Sequence, residues 1–573
     1  MAYIEPNTEV RFLHDVPLDP DYENTLYFDN ITQQTEYFIN KSIRVFPGLT
    51  YQRKNRGWLR VGWNADPYGG SAIKDMYSST YMMFKNSNFE NKWFYAFVDK
   101  VEYVNNNTVD VRYHIDVLQT WHFDYTFNQC FIVRQHASND NVGANTIPEE
   151  LEQGPYICDR PPYKTILGTD ILGGDFQYTP GILLATSFDP FTLDYAKGRV
   201  LRGWSTMGNY FSGIYYRTFS LSTQDINDLN DFLEHVANDE ALADGVVSMS
   251  MIPLSLVDPT GDDYSYNDIL FTRPNSLGSY TPRNKKLLTN PYNFLYVTNN
   301  QGNAAEYHWE DSYNLGYLEF RVWANYSTTP AMLGAPVEYK LPSHTGNYDE
   351  MLTVNNFPLC AWTNDAFKAW LAQNIGTIAG VGVGILSSWV GTGISAMRWI
   401  EAGRAAQRTA SYNPFTGQSG MVNPEAFANA DRLGSETLSK AGHALTSTAL
   451  ALGQLYDHSR KPPQANGNSN GNLIYQSGLM TFSFYRKYIK PEYAAIIDKY
   501  FDMYGYNVHT VGTPNRAVRR CYTYVKTSGC NIHGNIPADD ITTIQELFDK
   551  GIRFWRHTAV YGNYDPSVND NTI

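Results

Sequence analysis

Three stretches of this chain carry side chains whose types and spacing could do chemistry. Glu306, His308 and Glu310 stand at alternate positions. On a strand they would share one face and line up carboxylate, imidazole and carboxylate, a set with metal-ligand character. No separated partner motif completes a site, and a solvated polar strand face explains the same spacing, so no metal or other cofactor is expected. Asp258, Thr260, Asp262 and Asp263, around Pro259 and Gly261, could offer oxygen ligands to calcium. Their spacing departs from the EF-hand loop and reads better as a polar turn. The third stretch, residues 371–397, is LAQNIGTIAGVGVGILSSWVGTGISAM, without one charged side chain.

A run of that length could cross the roughly 30 Å hydrocarbon core of a bilayer as a helix. Ile375, Ile378, Val381, Val383, Ile385, Leu386, Trp389 and Val390 supply its apolar surface. Gly376, Gly380, Gly382 and Gly384 interleave with them, and Gly391 and Gly393 follow. Each glycine costs about 1 kcal/mol against alanine in a helix interior. That is poor material for a soluble core helix and acceptable material for a segment that changes environment. Gly376, Gly380 and Gly384 also have the small-residue spacing that lets helices approach closely in membranes. Two plainer readings compete: a buried core segment, and a helical hairpin packed in a static oligomer interface. The expected role is membrane-active or channel-filling.

Enzymatic signatures are missing. The chain holds no phosphate loop, Rossmann fingerprint, H-E-x-x-H or G-x-S-x-G. Among 58 Asp and Glu, carboxylate pairs resembling a glycosidase arise by chance, so none is assigned and no catalytic residue is expected. The net charge of −14 argues against a nucleic-acid binder, which gains affinity from Lys and Arg on phosphates. It still allows a conduit in which repulsion keeps DNA from sticking. Five cysteines without C-x-x-C point to reduced thiols made in a cytoplasm rather than disulfides or zinc. The opening MAYIEPNTEV has neither a basic start nor an apolar run, so no signal peptide is expected.

The elements around these stretches divide into four blocks. Residues 1–136 read as strands: Val111, Tyr113, Ile115 and Val117 alternate with polar residues, and Asn105, Asn106 and Asn107 join them to an aromatic strand over 92–98. Residues 137–359 read as a separate β-rich domain of loops and short strands such as 182–185 and 318–322. Its one clear helix starts at a capping box, Ser222 to Asp225, and carries Ile226, Leu229, Phe232 and Leu233 at helical spacing. Residues 360–472 form a long excursion: the uncharged run, a second low-charge run over 441–453, and an Asn/Gly-rich return over 466–472 that reads as a flexible linker. Residues 473–573 read as α+β. One helix opens at Pro491, with Tyr493, Ile496, Ile497, Tyr500, Phe501 and Tyr504 as its stripe and Gly505 as its stop. A second opens near Asp539, buries Ile541, Ile544, Leu547 and Phe548, and stops at Gly551. The fold class is mainly β with α+β elements, a multidomain β-rich subunit with a long inserted apolar Gly-rich loop. The 43 Tyr, 29 Phe and 12 Trp support it, because aromatics favour a half-buried pleated surface.

Several strings resemble the tail knob protein of small short-tailed bacteriophages of the Picovirinae type. They are Asn91-Lys92-Trp93-Phe94-Tyr95-Ala96-Phe97-Val98, Ile115-Asp116-Val117-Leu118-Gln119-Thr120-Trp121 and Phe131-Ile132-Val133-Arg134, then Tyr504-Gly505-Tyr506 and Phe548-Asp549-Lys550-Gly551-Ile552. The resemblance covers roughly the first 135 and last 100 residues, with a divergent middle. It implies a structural virion protein at the distal end of the tail, made in the host cytoplasm. Its copies would close into a ring, a homohexamer, in which 1–136 and 473–573 build one tube domain and 137–359 an inserted knob domain. The loop over 360–472 would plug the channel and then penetrate the host membrane as the genome is ejected. Partners implied are other copies of itself, further tail proteins such as the lower collar, the host membrane, and viral DNA passing without specific binding. Two rival functions remain: a tail-associated cell-wall hydrolase, and a receptor-binding tail protein without membrane activity.

Overall fold

Tyr81, Met82, Met83 and Phe84 are all buried on one strand, which a strand allows only when both its faces are covered. Met82 and Phe84 enter one core cluster and Tyr81 and Met83 another, as the two-residue period requires. This strand, Tyr81–Lys85, sits inside a six-stranded antiparallel sheet in the order Ser42–Leu49, Thr8–Leu13, Tyr81–Lys85, Phe94–Asn105, Thr108–Ile115, Trp58–Gly62. The computed structural model describes residues 7–49, 57–62, 74–105, 108–161, 163–165, 170–171, 180–188, 199–204, 211–220, 223–253, 266–313, 316–325, 330–340, 350–355, 357, 359–361, 466–467 and 481–571.

Contacts divide the chain into two units: Met1–Pro155 with Asn275–Tyr292 and Ile489–Ile573, and Tyr156–Pro274 with Asn293–Tyr488. The protein is β-rich and multidomain. In the first unit, a second sheet runs Asn24–Leu26, Ile552–Trp555, Tyr522–Ser528, Cys130–Gln135, Tyr506–Gly512, so strands from both ends of the chain pair within it. Its side chains, with those of the helix Ala538–Lys550, complete the cores of the first sheet. Val525, Ile544, Phe548, Ile552 and Phe554 pack with Phe12, Phe84, Phe94 and Val111, while Tyr522 and Trp555 pack with Phe38, Tyr95 and Phe97. The hairpin forms where the sequence places it, with Asn105 opposite Thr108, while Asn106 and Asn107 lie outside the described residues. The alternation ends one step earlier than expected, at Ile115. Asp116 then accepts from the backbone N–H groups of Leu118 and Gln119 and caps a helical turn, Val117–Thr120.

Pro491–Tyr504 and Ala538–Lys550 are the two C-terminal helices, ended by Gly505 and Gly551 with positive φ. A side chain at Gly505 would put its Cβ 2.3 Å from the carbonyl of Gln135. The first helix is turned relative to expectation: Ala494, Ile497, Asp498 and Phe501 are its buried stripe, and Ile496 is exposed. The reason is polar. Asp498 accepts from the Tyr280 hydroxyl (2.7 Å), the Arg283 N–H (2.9 Å), and the Asn284 N–H (3.0 Å) and side-chain amide (2.8 Å). These bonds bind Asn275–Tyr292 into the first unit, although the sequence reading placed that segment in the 137–359 block.

Beside it lies a buried charge cluster. Glu149, with a fully buried side chain, accepts from Arg134, from Lys286 Nζ at 2.5 Å and from the Asn507 N–H at 2.9 Å. Burial pulls the Lys286 ammonium down from its ordinary pKa, and the Glu149 carboxylate opposes that shift. Three sequence-distant segments, 134–149, 284–286 and 498–507, are thus joined by ionic bonds that water does not screen.

Among the described residues the second unit holds three sheets. One runs Tyr156–Asp159, Ser483–Ile489, Asn293–Thr298, Ala304–His308. Another runs Asp170–Ile171, Tyr163–Thr165, Tyr266–Thr272, Tyr317–Asn325, Ala331–Val337, Leu352–Val354. The last runs Arg199–Trp204, Phe211–Ser220, Pro180–Thr186, Val246–Pro253, Leu359–Ala361, Asn466–Gly467. The expected helix is Thr223–Ala237, and its buried Leu229, Phe232, Leu233 and Val236 enter one core with Leu184, Phe219, Phe271, Leu295, Phe320 and Phe484.

Candidate functional site: the root of the apolar excursion

The twelve candidate residues of the uncharged run, from Ile375 to Val390, lie outside the described residues, as do the calcium-like Asp258 to Asp263 and the low-charge run over 441–453. What the structure describes is where that excursion begins and ends. Strand Leu359–Ala361 joins the last sheet through Ser248, Met249 and Ser250, which pair with Ala361, Cys360 and Leu359. Its other edge pairs with Asn466–Gly467, Cys360 opposite Gly467 and Ala361 opposite Asn466. Residues 362–465 therefore leave and return at adjacent points on one sheet edge. The first two residues of the expected Asn/Gly linker are a strand; the rest lie outside the described residues.

The sheet beneath this root is firmly held. Pro180–Thr186 pairs on both sides, and its residues alternate between two clusters: Ile182 and Leu184 face the main core, Leu183 and Ala185 pack with Tyr216. Arg217 on the next strand is fully buried with its guanidinium 4.4 Å from the Phe232 ring, and burial drags its pKa down to about 10. No sequence signal marks Ala361 and Asn466 as partners. Leu-Cys-Ala is too short for periodicity, and Asn-Gly is ordinary turn chemistry.

The metal-like trio does not assemble. Glu306 and His308 lie on the strand Ala304–His308, but the chain then enters a 3-10 turn, Trp309–Asp311, with Trp309 buried, so Glu310 leaves the strand face. The imidazole of His308 pairs instead with Asp311 at 3.3 Å. Among the described residues no group of His, Cys, Asp or Glu is placed to hold a metal ion. Cys130, Cys158, Cys521 and Cys530 are free thiols, and burial pushes Cys530 up to about 12, which keeps it unreactive. Among the described residues no helix is long and apolar enough to cross a membrane.

Comparison with known proteins assigns the chain. Residues 259–570 match the family described as Bacillus phage phi29, Tail knob protein gp9, C-terminal domain, and residues 6–126 match the Caudoviral major tail protein N-terminus. The chain is 27% identical to the Tail knob protein gp9 of Bacillus phage phi29 and to that of Bacillus phage B103, and 26% identical to that of Bacillus phage PZA. Each similarity spans 98% of this chain and 99% of the relative. The fold resembles the solved structure of the bacteriophage C1 tail knob protein, gp12, with a TM-score of 0.56, 13% identity, and 98% and 99% of the two chains covered. The chain belongs to the phage tail knob family, and it is a structural component of the virion's tail rather than an enzyme.

Proposed function

We propose that copies of this chain close into a ring, a homohexamer, at the distal end of the tail, through which the genome is ejected. The run over 371–397 plugs the channel of that ring and penetrates the host membrane on infection. The observation that carries this reading is the root of the excursion. With Ala361 and Asn466 side by side, everything between them can move from channel to lipid without pulling a strand from the sheet. Inside the ring, Ile375, Ile378, Val381, Val383, Ile385, Leu386, Trp389 and Val390 of neighbouring copies shield one another from water, at about 25 cal/mol per Å² of apolar surface. Gly376, Gly380, Gly382 and Gly384 keep the backbone adaptable in both settings. Once expelled, that surface finds its best solvent in a bilayer. The acidic balance of the chain suits a channel through which DNA passes unheld.

Release of a trapped dye from liposomes tests the reading. The assembled protein is expected to release dye. Val383→Asp with Leu386→Asp is expected to abolish release while leaving the ring intact in electron micrographs, since each charge costs about 2.5–3.5 kcal/mol at the centre of an inserted helix. Leakage by the double variant equal to the parent's would sink the mechanism.

A further inference from the structure

One face of the sheet formed by Tyr156–Asp159, Ser483–Ile489, Asn293–Thr298 and Ala304–His308 is built unlike an ordinary solvent face. On the inner face Leu295, Val297, Tyr307 and Phe484 enter the core. On the outer face the register sets two cross-strand rows, His308–Phe294–Lys487 and Glu306–Tyr296–Tyr485. Tyr156 extends the first row, its ring 5.6 Å from Phe294, and Arg160 lies 5.7 Å from the Tyr485 ring. The result is a platform of four aromatic rings with charged groups set among them.

Four polar groups there are uncommitted. Elsewhere on the surface, exposed cations meet carboxylates, as Arg60 meets Asp110 and Lys340 meets Glu350. Here the hydroxyls of Tyr296 and Tyr485, the Lys487 ammonium and the Glu306 carboxylate make no side-chain hydrogen bond or ion pair among the described residues. Lys487 Nζ rests 3.5 Å from the centroid of Tyr296, a cation–π contact that consumes none of its three N–H donors. Tyr156 is 40% exposed, Tyr485 half-buried, and their rings are open to a ligand.

We propose that this face is a saccharide-binding site. A pyranose ring has an apolar C–H face for an aromatic platform and a rim of hydroxyls that both donate and accept. Tyr485 and Tyr156 supply the stacking surface. Glu306 accepts from, and Lys487 and the tyrosine hydroxyls donate to, the rim. On this face Lys487 and Arg160 stand with one carboxylate, Glu306, while Asp159 is held by Tyr488 on the opposite face, at 3.2 Å; the mixture of donors and an acceptor suits a ligand rich in hydroxyls. A peptide adding to a sheet would use an edge, not a face. This site is independent of the membrane plug.

Calorimetric titration of the full-length protein with chitotetraose, cellotetraose and maltotetraose tests the assignment. At least one is expected to bind saturably. Tyr485→Ala and Glu306→Gln should each weaken that binding by about tenfold or more, the loss expected when a central aromatic or a paired polar contact is removed. Tyr103→Ala, on the hairpin tip of the other unit, should not change it. Near-UV circular dichroism checks that each variant is folded; if Tyr485→Ala is not, Glu306→Gln, at an exposed and unpaired side chain, decides alone. Absence of binding by all three sugars up to about 10 mM overturns the assignment. So does undiminished binding by the folded variants, or a change of oligomeric state on light scattering in place of lost affinity, which would make the face a contact between copies.

Discussion

Two places in this molecule bring together residues that are far apart in sequence, and they do it by opposite means. In the first unit, Glu149, Arg134, Lys286 and Asn507 meet in a buried ionic cluster beside Asp498 and its four bonds to 280–284. At the root of the excursion, two residue pairs of a sheet edge hold the ends of 362–465 together. The first junction fails at large cost if Glu149 is removed, because two buried cations are left behind. The second adds a ladder step whose groups can return to water. The proposed function, in which the frame stays while one segment changes environment, draws on both kinds.

The largest expected effect is at the ionic junction. Glu149→Ala leaves Arg134 and Lys286 buried without their carboxylate and should cost about 3–5 kcal/mol of stability. Urea titration followed by tryptophan fluorescence measures it. A loss under about 1 kcal/mol would mean that the two cations find water and that the junction is held by packing alone.

A middle effect comes from His122, where the two ends of the chain also meet. Its Nε2 donates to the Phe28 carbonyl, and Arg516 Nη1 donates to the His122 carbonyl. Burial first, and then the Arg516 charge, depress its pKa to about 3. Between about pH 6.5 and 3 the unfolded chain binds a proton here that the folded chain does not. Stability is therefore whole above pH 6.5 and falls as the pH drops, by about 2 kcal/mol at pH 5 from this group. His122→Gln keeps a donor and removes the titration, so the stability difference between pH 7 and pH 5 should shrink by about that amount. An unchanged difference would place the acid sensitivity elsewhere in the unit.

The smallest effect is expected at the root. Asn466→Pro breaks the edge ladder but should change unfolding free energy by no more than about 0.5 kcal/mol, as for a position on the last strand of a sheet. A loss above about 2 kcal/mol would make Asn466–Gly467 a structural strand and erase the contrast between the two junctions.

Much of the local structure was legible in the residues. The hairpin around Asn105, the helix Thr223–Ala237, and the strand Ile552–Trp555 beginning directly after Gly551 follow from period, capping and glycine placement. The helix Pro491–Tyr504 was found by the same signals, yet its face was misjudged. Hydropathy counts Ile496 as core and Asp498 as surface, whereas four hydrogen bonds reverse the order. The metal-like trio failed for a related reason, since alternate spacing says nothing of the turn that the buried Trp309 imposes after His308.

By itself the sequence determined what each segment is made of. It marks an uncharged, glycine-rich run over 371–397, aromatic strands at both ends of the chain, and no motif for catalysis. Only the tertiary structure decided which segments meet. Cys130–Gln135 lies between Tyr522–Ser528 and Tyr506–Gly512, Asn275–Tyr292 belongs with Asp498, and Ala361 stands beside Asn466. The physical reason is range. Propensity, capping and amphipathic period act over a few residues and are written where they act. Strand pairing and buried ion pairs join groups hundreds of residues apart, and neither partner carries a mark of the other.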